Sequence, residues 1–248
     1  SIRKWPDFAG NNGRSSMRID RLWWERDDLC YRDGRLQFGG SELAPFAQAG
    51  TPAFVYDAAR VRDNLLRLRA ALDAAGVAHG AFYAVKANRF PPLIGYLKAL
   101  GRCGIDACSP GEMRYALQHG FEEHEISYTG TSVSESDLDC LRDHPRVHIN
   151  CDALSTIRRL GRRCPGRRIG LRVNPGLGAG YNDRLRYAGA KPTKFGIYPD
   201  RFEEAIRTAS DAGMKVDTLH FHVGSGYLGD ALEVLDQVLE RVGPMLDA

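Results

Sequence analysis

The chain has 248 residues and a formal net charge of +3, from 34 Lys and Arg against 31 Asp and Glu. This near balance argues against a nucleic-acid-binding protein, which needs a strongly basic face. Hydrophobic residues make up 43% and charged residues 26%, the proportions of a globular protein rather than a disordered one. No apolar run approaches the roughly 20 residues that cross a bilayer, and no apolar signal region is present. We therefore expect neither a membrane protein nor a secreted one.

The six cysteines are spread along the chain and form no metal-binding pattern. None of them makes a C-x-x-C pair, and none has zinc-finger spacing with a histidine. We therefore predict no metal site. Free thiols in a chain of this length are typical of a reducing compartment, which indicates a cytoplasmic protein.

The first 57 residues show no regular alternation of strand and helix patterns. The chain starts at Ser1, so residues 1–16 are interpreted as a tag remnant or a loose extension. The turn Asp33-Gly34 predicts short strands on both sides of it, within 22–39. A short helix is predicted over 41–50, with Ser41 as its N-cap, and a strand over 51–57.

From residue 58 onward, helical and strand patterns alternate. The predicted strands are 81–88, 104–109, 125–130, 147–152, 168–176 and 215–226. The predicted helices are 58–75, 91–101, 110–120, 134–144, 153–163, 199–212 and about 229–247. A Gly-rich loop separates the last two strands, and Ser134-x-x-Asp137 predicts a capping box. This alternation indicates parallel strands with crossover helices, as in a (β/α)8 TIM-type barrel or a doubly wound open sheet. About six β/α units are present where a closed barrel needs eight, so a barrel would be incomplete in this chain.

Polar side chains occur in phase on four of these strands. One face of each strand is aliphatic, whereas the other carries a polar residue near the carboxyl end: Lys86, Asp106, Arg172 and His222. Each has an ordinary explanation, such as a solvated lysine, an ion pair between the aspartate and the arginine, or a core histidine. In a barrel all four would point into the carboxyl-terminal mouth, where active sites lie. Because buried polar groups are costly, their convergence favours a functional site.

This set of side chains suits one cofactor. A lysine in an enclosed site can lose its proton and bind an aldehyde, and a histidine ring can stack on an aromatic ring. The turn Gly224-Ser225-Gly226 opens the last helix, and its small residues let backbone N–H groups approach an anion. Together these groups indicate pyridoxal phosphate.

Five motifs carry a resemblance to a known family. They are YAVKAN at 83–88, GIDACSPGE at 104–112, LRVNPG at 171–176, TKFGI at 193–197 and HFHVGSG at 220–226. In order and spacing, they resemble the group IV (alanine-racemase-fold, type III) pyridoxal-phosphate-dependent decarboxylases, most closely the diaminopimelate decarboxylases. The resemblance runs from about residue 20 to the end of the chain.

The resemblance implies roles for individual residues. Those it places around the cofactor are Lys86, Asp106, Arg172, His222, Ser225 and Gly226. Lys86 would be the Schiff-base lysine, His222 would stack on the cofactor ring, and Ser225 would contact the phosphate. Lys86 and His222 would be the catalytic residues.

The resemblance also implies a homodimer with shared sites and a two-domain protein. Lys194 would lie near the dimer interface. Residues 17–50 would join a C-terminal β-domain, and residues 51–248 would form the N-terminal part of the pyridoxal-binding barrel. The family's Gly-rich phosphate loop and the glutamate that pairs with the pyridine nitrogen lie beyond HFHVGSG. The chain is therefore expected to be the N-terminal portion of a longer enzyme.

The function implied is decarboxylation of an amino acid, with meso-diaminopimelate converted to lysine as the first hypothesis. Alternative substrates are ornithine, lysine, arginine or an amino acid of specialised metabolism. A non-catalytic homologue that binds a protein partner is an alternative of another class. An alanine racemase fits less well, because the lysine here is followed by Ala-Asn-Arg-Phe-Pro. A single-domain carrier of the cofactor also fits less well, because it would lack the strands predicted before residue 50.

Overall fold

The structure, a computed structural model, describes residues 23–178, 193–225 and 231–246. The predicted extension at 1–16 lies outside this range. The described residues form two compact units, one ending at Asn64 and the other starting at Leu65. No helix among the described residues has the length and apolar character needed to cross a membrane.

The first unit contains a small antiparallel sheet of three strands: β1 (Leu29–Arg32), β2 (Arg35–Phe38) and β3 (Ser41–Glu42). Asp33 and Gly34 connect β1 to β2 with φ angles of 50° and 73°. Two successive residues with positive φ are typical of a tight hairpin turn, and Asp-Gly is one of the pairs that favour it. The predicted hairpin is therefore confirmed. The assignment of residues 17–50 to a β-domain stays a prediction.

Two other predictions for this unit are wrong. Ser41 is no helix cap, because it pairs with Phe38 in β3, and the helix α1 spans only Ala44–Gln48. Residues 51–57 form no strand, and Phe54 is 90% exposed. A strand is stabilised by its neighbours in a sheet, and no described strand pairs with this segment. The helix α2 (Ala58–Ala74) follows, where the backbone N–H of Ala59 donates to Asp57 Oδ1.

The second unit is built on a parallel sheet of six strands in the order β4-β5-β6-β7-β8-β9. The strands are β4 (Phe82–Ala84), β5 (Gly104–Ala107), β6 (Ile126–Tyr128), β7 (His148–Cys151), β8 (Arg168–Val173) and β9 (Lys215–Phe221). The helices are α3 (Pro91–Leu100), α4 (Pro110–Gln118), α5 (Glu135–Arg142), α6 (Leu154–Arg163), α7 (Phe202–Asp211) and α8 (Ala231–Val242). Each strand pairs in parallel with the next strand of the chain, which confirms six β/α units of a partial barrel.

The core lies between the helices and the outward face of the sheet. Ile157 and Leu160 of α6 are fully buried, and so are Ile169 and Leu171 of β8. At the start of α5, Ser134 Oγ accepts from the backbone N–H of Asp137, whose carboxylate accepts from the N–H of Ser134. The predicted capping box is therefore present. These contacts hold the strands in one register, so that their carboxyl ends lie at the same edge of the sheet.

Candidate active site

A cavity of about 250 Å³ opens at the carboxyl ends of the parallel strands. Its lining residues come from five strands or the turns that follow them, and from one loop: Lys86, Asp106, Cys108, Thr129, Thr131, Arg172, Phe195, His220 and His222. Four of them are the side chains that the strand phase predicts to converge. The structure thus brings Lys86, Asp106, Arg172 and His222 to one place.

Lys86 does not lie on the strand predicted for 81–88. The strand β4 ends at Ala84, and Val85–Ala87 form a single turn of 3-10 helix. Val85 is fully buried, whereas Lys86 is exposed and faces the cavity. The hydroxyl of Tyr83 donates to the carbonyl of Asn88 across this turn. The turn therefore presents the lysine amine at the cavity's mouth instead of along the sheet.

Asp106 and Cys108 reach the cavity from β5 and the residue that follows it. Burial raises the pKa of the Asp106 carboxyl, and the positive charge of Lys86 opposes that rise. Burial also raises the pKa of the Cys108 thiol, and the positive charge and hydrogen bond of Lys86 oppose that rise. The backbone N–H of Cys108 donates to Glu112 Oε2 at 2.8 Å, which ties this strand end to α4. Lys86 thus lies next to a carboxyl group and a thiol.

Arg172 is the most deeply buried cation of the cavity. Arg172 is only 7% exposed. Burial lowers the pKa of its guanidinium, and the negative charge of Asp152 opposes that decrease. No hydrogen bond or ion pair links this guanidinium to another residue in the described part of the chain. Its carbon lies 4.8 Å from the ring centre of Phe195. The Phe195 carbonyl accepts from Asn174 Nδ2 at 2.8 Å, which fixes this loop beside β8.

Two histidines on β9 and its end complete the cavity. Burial and the nearby Arg172 lower the pKa of His220 to about 4, and the same causes lower the pKa of His222. Both rings are therefore neutral near pH 7. His222 Nδ1 accepts from the backbone N–H of Gly224 at 3.1 Å, whereas the buried Nδ1 of His220 has no hydrogen-bond partner in the described structure.

The structure places the remaining predicted residues elsewhere. Ser225 is described but does not line the cavity, and Gly226 lies outside the described residues. Lys194 is exposed, with its Nζ 5.2 Å from the ring centre of Phe195. The predicted roles of these three residues at the phosphate and at a dimer interface stay predictions.

The sequence prediction missed five cavity residues: Cys108, Thr129, Thr131, Phe195 and His220. Cys108 lies two residues after Asp106, and His220 two residues before His222. The alternation that selected the predicted residues therefore contained both. Thr129 and Thr131 continue the phase of Ser127 beyond the end of β6. Phe195 comes from a loop, and the alternation of strand residues carries no signal for it.

A family model for the pyridoxal-binding domain of pyridoxal-dependent decarboxylases matches residues 58–246. The chain belongs to the pyridoxal-dependent decarboxylases. The diaminopimelate decarboxylase of Methanothermobacter thermautotrophicus is 38% identical over 216 residues, which are 84% of this chain and 50% of that protein. The enzyme of the same name from Streptomyces coelicolor is 30% identical over 74% of this chain and 40% of its own length. The chain thus spans about half the length of the curated relatives it matches, or less.

Solved structures of this decarboxylase family share the fold. A crystal structure of a diaminopimelate decarboxylase superposes with a TM-score of 0.69 at 25% identity, over 83% of this chain and 47% of that one. The M. jannaschii diaminopimelate decarboxylase gives a TM-score of 0.74 at 23% identity, over 88% of this chain and 54% of its own. The six parallel strands are therefore part of an alanine-racemase-like barrel.

The residues of the cavity fit pyridoxal phosphate. This cofactor has an aldehyde, a phenolic hydroxyl and a phosphate, so it needs an amine and several donors to anionic oxygen. Lys86 supplies the amine. Arg172 supplies a buried guanidinium that has no hydrogen bond or ion pair with another described residue, and His220 supplies a buried ring nitrogen with no partner among the described residues. Polar groups left unpaired in this way favour a ligand that pairs with them.

Proposed function

We propose that the protein is a pyridoxal-phosphate-dependent carboxy-lyase that converts meso-diaminopimelate to lysine. The observation that carries this proposal is the amine of Lys86 in one cavity with the buried cation Arg172 and the neutral ring of His222. The identity of 38% to a curated diaminopimelate decarboxylase supports the choice of substrate. Pyridoxal phosphate, when bound, supplies the electron sink for the bond that breaks at the α-carbon.

Each residue that the sequence assigns to the cofactor site would have its own part in this function. Lys86 is the residue that would hold the cofactor, through its Nζ and the aldehyde carbon. The neutral His222 ring would lie against one face of the cofactor, where an uncharged imidazole repels neither the cofactor nor the nearby Arg172. Arg172 and Asp106 would contact polar groups of the bound cofactor. Ser225, which follows β9, would contact the phosphate, and the same part is predicted for Gly226.

The first test is covalent trapping of the cofactor. Wild-type protein, incubated with pyridoxal phosphate and reduced with borohydride, should give one labelled peptide that contains Lys86. Lys86→Ala should lose the label completely, because no other lysine lines the described cavity. Lys215→Ala is the matched control, since Lys215 is exposed at the start of β9 and outside the cavity. A label on another lysine, or a label that persists in Lys86→Ala, would refute the proposal.

The second test concerns the substrate. Carbon dioxide release from meso-diaminopimelate should exceed release from ornithine, lysine and arginine. A preference for one of these three would keep the reaction class and replace the substrate. Trapping on Lys86 without release from any amino acid would favour the non-catalytic homologue.

We also infer that the protein acts in the cytoplasm as a homodimer, with Lys194 near the interface. All six cysteines are free, in agreement with a reducing compartment. The exposure of Lys194 leaves its amine available to a second copy. Sedimentation of the wild-type protein should give twice the monomer mass, and Lys194→Glu should shift the equilibrium toward monomer. An unchanged dimer would remove Lys194 from the interface.

A further inference from the structure

A polar cluster lies inside the barrel, directly below the cavity. Thr129 lines the cavity and is only 7% exposed, and its Oγ1 accepts from Asn150 Nδ2 at 2.9 Å. Asn150 is 3% exposed and donates its second amide hydrogen to Ser127 Oγ at 3.2 Å. Asn150 Oδ1 lies 3.2 Å from His148 Nε2, which donates to it. The carboxamide therefore uses both its hydrogens and its oxygen within the barrel.

Gly170 on β8 makes room for this carboxamide. A methyl group at position 170 would overlap Asn150 Oδ1, and it would lie 3.1 Å from His148 Nε2 and 3.2 Å from Thr218 Cβ. The strand beside Asn150 thus has no side chain where the amide lies. Close packing on one side and three hydrogen bonds on the others fix the orientation of the amide.

This orientation determines what the Thr129 hydroxyl can do. A hydroxyl has one hydrogen to donate and two lone pairs that accept. One lone pair of Thr129 Oγ1 accepts from Asn150, so its own hydrogen is free for another acceptor. The described residues provide no acceptor for that hydrogen. Because Thr129 lines the cavity, the hydrogen is available to a ligand bound there.

We propose that Thr129 donates a hydrogen bond to the phenolic oxygen of bound pyridoxal phosphate, and that Asn150 is the positioning residue for that hydroxyl. The inference rests on the proposed function, since it concerns the same cofactor. The phenolic oxygen is carried by the ring carbon next to the one that bears the aldehyde, so it is close to the carbon that Lys86 binds. The phosphate is on a separate arm, which the proposed function assigns to the turn at Ser225.

The first experiment compares Thr129→Val with Thr129→Ser in the cofactor-loaded protein. Valine keeps the shape but has no hydroxyl, whereas serine keeps the hydroxyl. Thr129→Val should weaken pyridoxal phosphate binding by roughly 10-fold in an absorbance titration without substrate. Thr129→Val should also lower the fraction of bound cofactor that absorbs in the visible band, because a hydrogen-bond donor to the phenolic oxygen stabilises the form that absorbs there. Thr129→Ser should resemble wild type in both readouts, and a Thr129→Val protein with wild-type affinity and spectrum would overturn the proposal.

The second experiment tests the direction of the hydrogen bond between Asn150 and Thr129. Asn150→Asp replaces the amide donor with a carboxylate that only accepts, so the Thr129 hydrogen would turn toward it and away from the cavity. We expect this variant to reproduce the weaker binding and the spectral change of Thr129→Val. Wild-type binding in Asn150→Asp would show that the direction of the Thr129 hydroxyl does not depend on the amide donor of residue 150, which would overturn the positioning role. Since Asn150 is buried, circular dichroism and a urea midpoint verify that the variant folds.

Failure of this inference can be separated from failure of the proposed function. If wild-type protein carries no reducible pyridoxal on Lys86, the proposed function is wrong and no cofactor contact can be assigned. If Lys86 is labelled in wild type and in both Thr129 variants with equal affinity, the proposed function stands and only the Thr129 contact is wrong.

Discussion

The two faces of the parallel sheet differ sharply in what they bury. On the outward face of β5 to β8, the residues that contact the helices are fully or almost fully buried aliphatics: Ile105, Ala107, Ile126, Ile149, Ile169 and Leu171. On the inward face of the same strands lie Asp106, Ser127, His148, Asn150, Gly170 and Arg172. A barrel interior is usually filled by branched apolar side chains, so this polar interior is unusual. The outward face stabilises the fold. The inward face lowers that stability, because it buries polar groups that a ligand could pair with.

The largest expected effect on stability is on the outward face. Ile149→Ala removes a buried side chain from β7 and leaves a cavity against the helices, so the free energy of unfolding should fall by roughly 2–5 kcal/mol. Urea unfolding measures this loss in the free energy of unfolding. The control Ile149→Val should lose only about 0.5–1.5 kcal/mol. The protein that stays folded should still carry pyridoxal on Lys86, because Ile149 does not line the cavity. A loss of labelling in the folded fraction would mean that the two faces are not separable.

The contrast between the faces is what the sequence could predict. Successive side chains of a strand point to opposite faces of the sheet, so polar residues at every second position share one face. On this ground Asp106, Arg172 and His222 could be placed at one edge of the sheet from their spacing alone. The same reasoning placed Lys86 in the cavity but gave it the wrong local structure, because Lys86 lies on a 3-10 turn after β4. It carried no signal for Phe195, which comes from a loop that pairs with the end of β8 through Ile197. Ser41 has the residue type of a helix cap, but pairing with β2 places it in a strand instead. Local propensity is a weak guide where tertiary pairing competes with it.

A smaller effect is expected on the inward face at Gly170. Alanine there would overlap the Asn150 carboxamide, so the amide or the strand must shift, which should lower the free energy of unfolding by roughly 1–3 kcal/mol. The matched control is Gly95→Ala in α3, where an added methyl group meets nothing within 4 Å. Since alanine favours a helix over glycine, this control should be neutral or slightly more stable. Urea unfolding of the two variants makes the comparison. Equal stability of both would show that Asn150 moves without cost and is not fixed by β8.

The smallest expected effect is a change in the pH dependence of stability at His220. Burial and Arg172 hold the pKa of this ring at about 4, against 6.5 for an ordinary histidine. As the pH falls from 6.5 to 4, the unfolded chain therefore takes up a proton that the folded chain does not, and the folded state loses stability. His220→Gln removes this proton uptake, so its urea midpoint should decline less than that of wild type across this range. Asp106 and Asp152, whose pKa values burial raises, act in the opposite direction but equally in both proteins. They cancel in the difference between the two curves.

The control for this experiment is His124→Gln, because His124 is exposed and lies outside the cavity. Parallel curves for His220→Gln and wild type would mean that the folded protein lets water or a proton reach the His220 ring. That result would contradict the picture of a neutral, buried inward face. A flatter curve for His220→Gln alone would show that the interior keeps this histidine uncharged at the expense of stability in acid, as expected for a group retained for a ligand and not for packing.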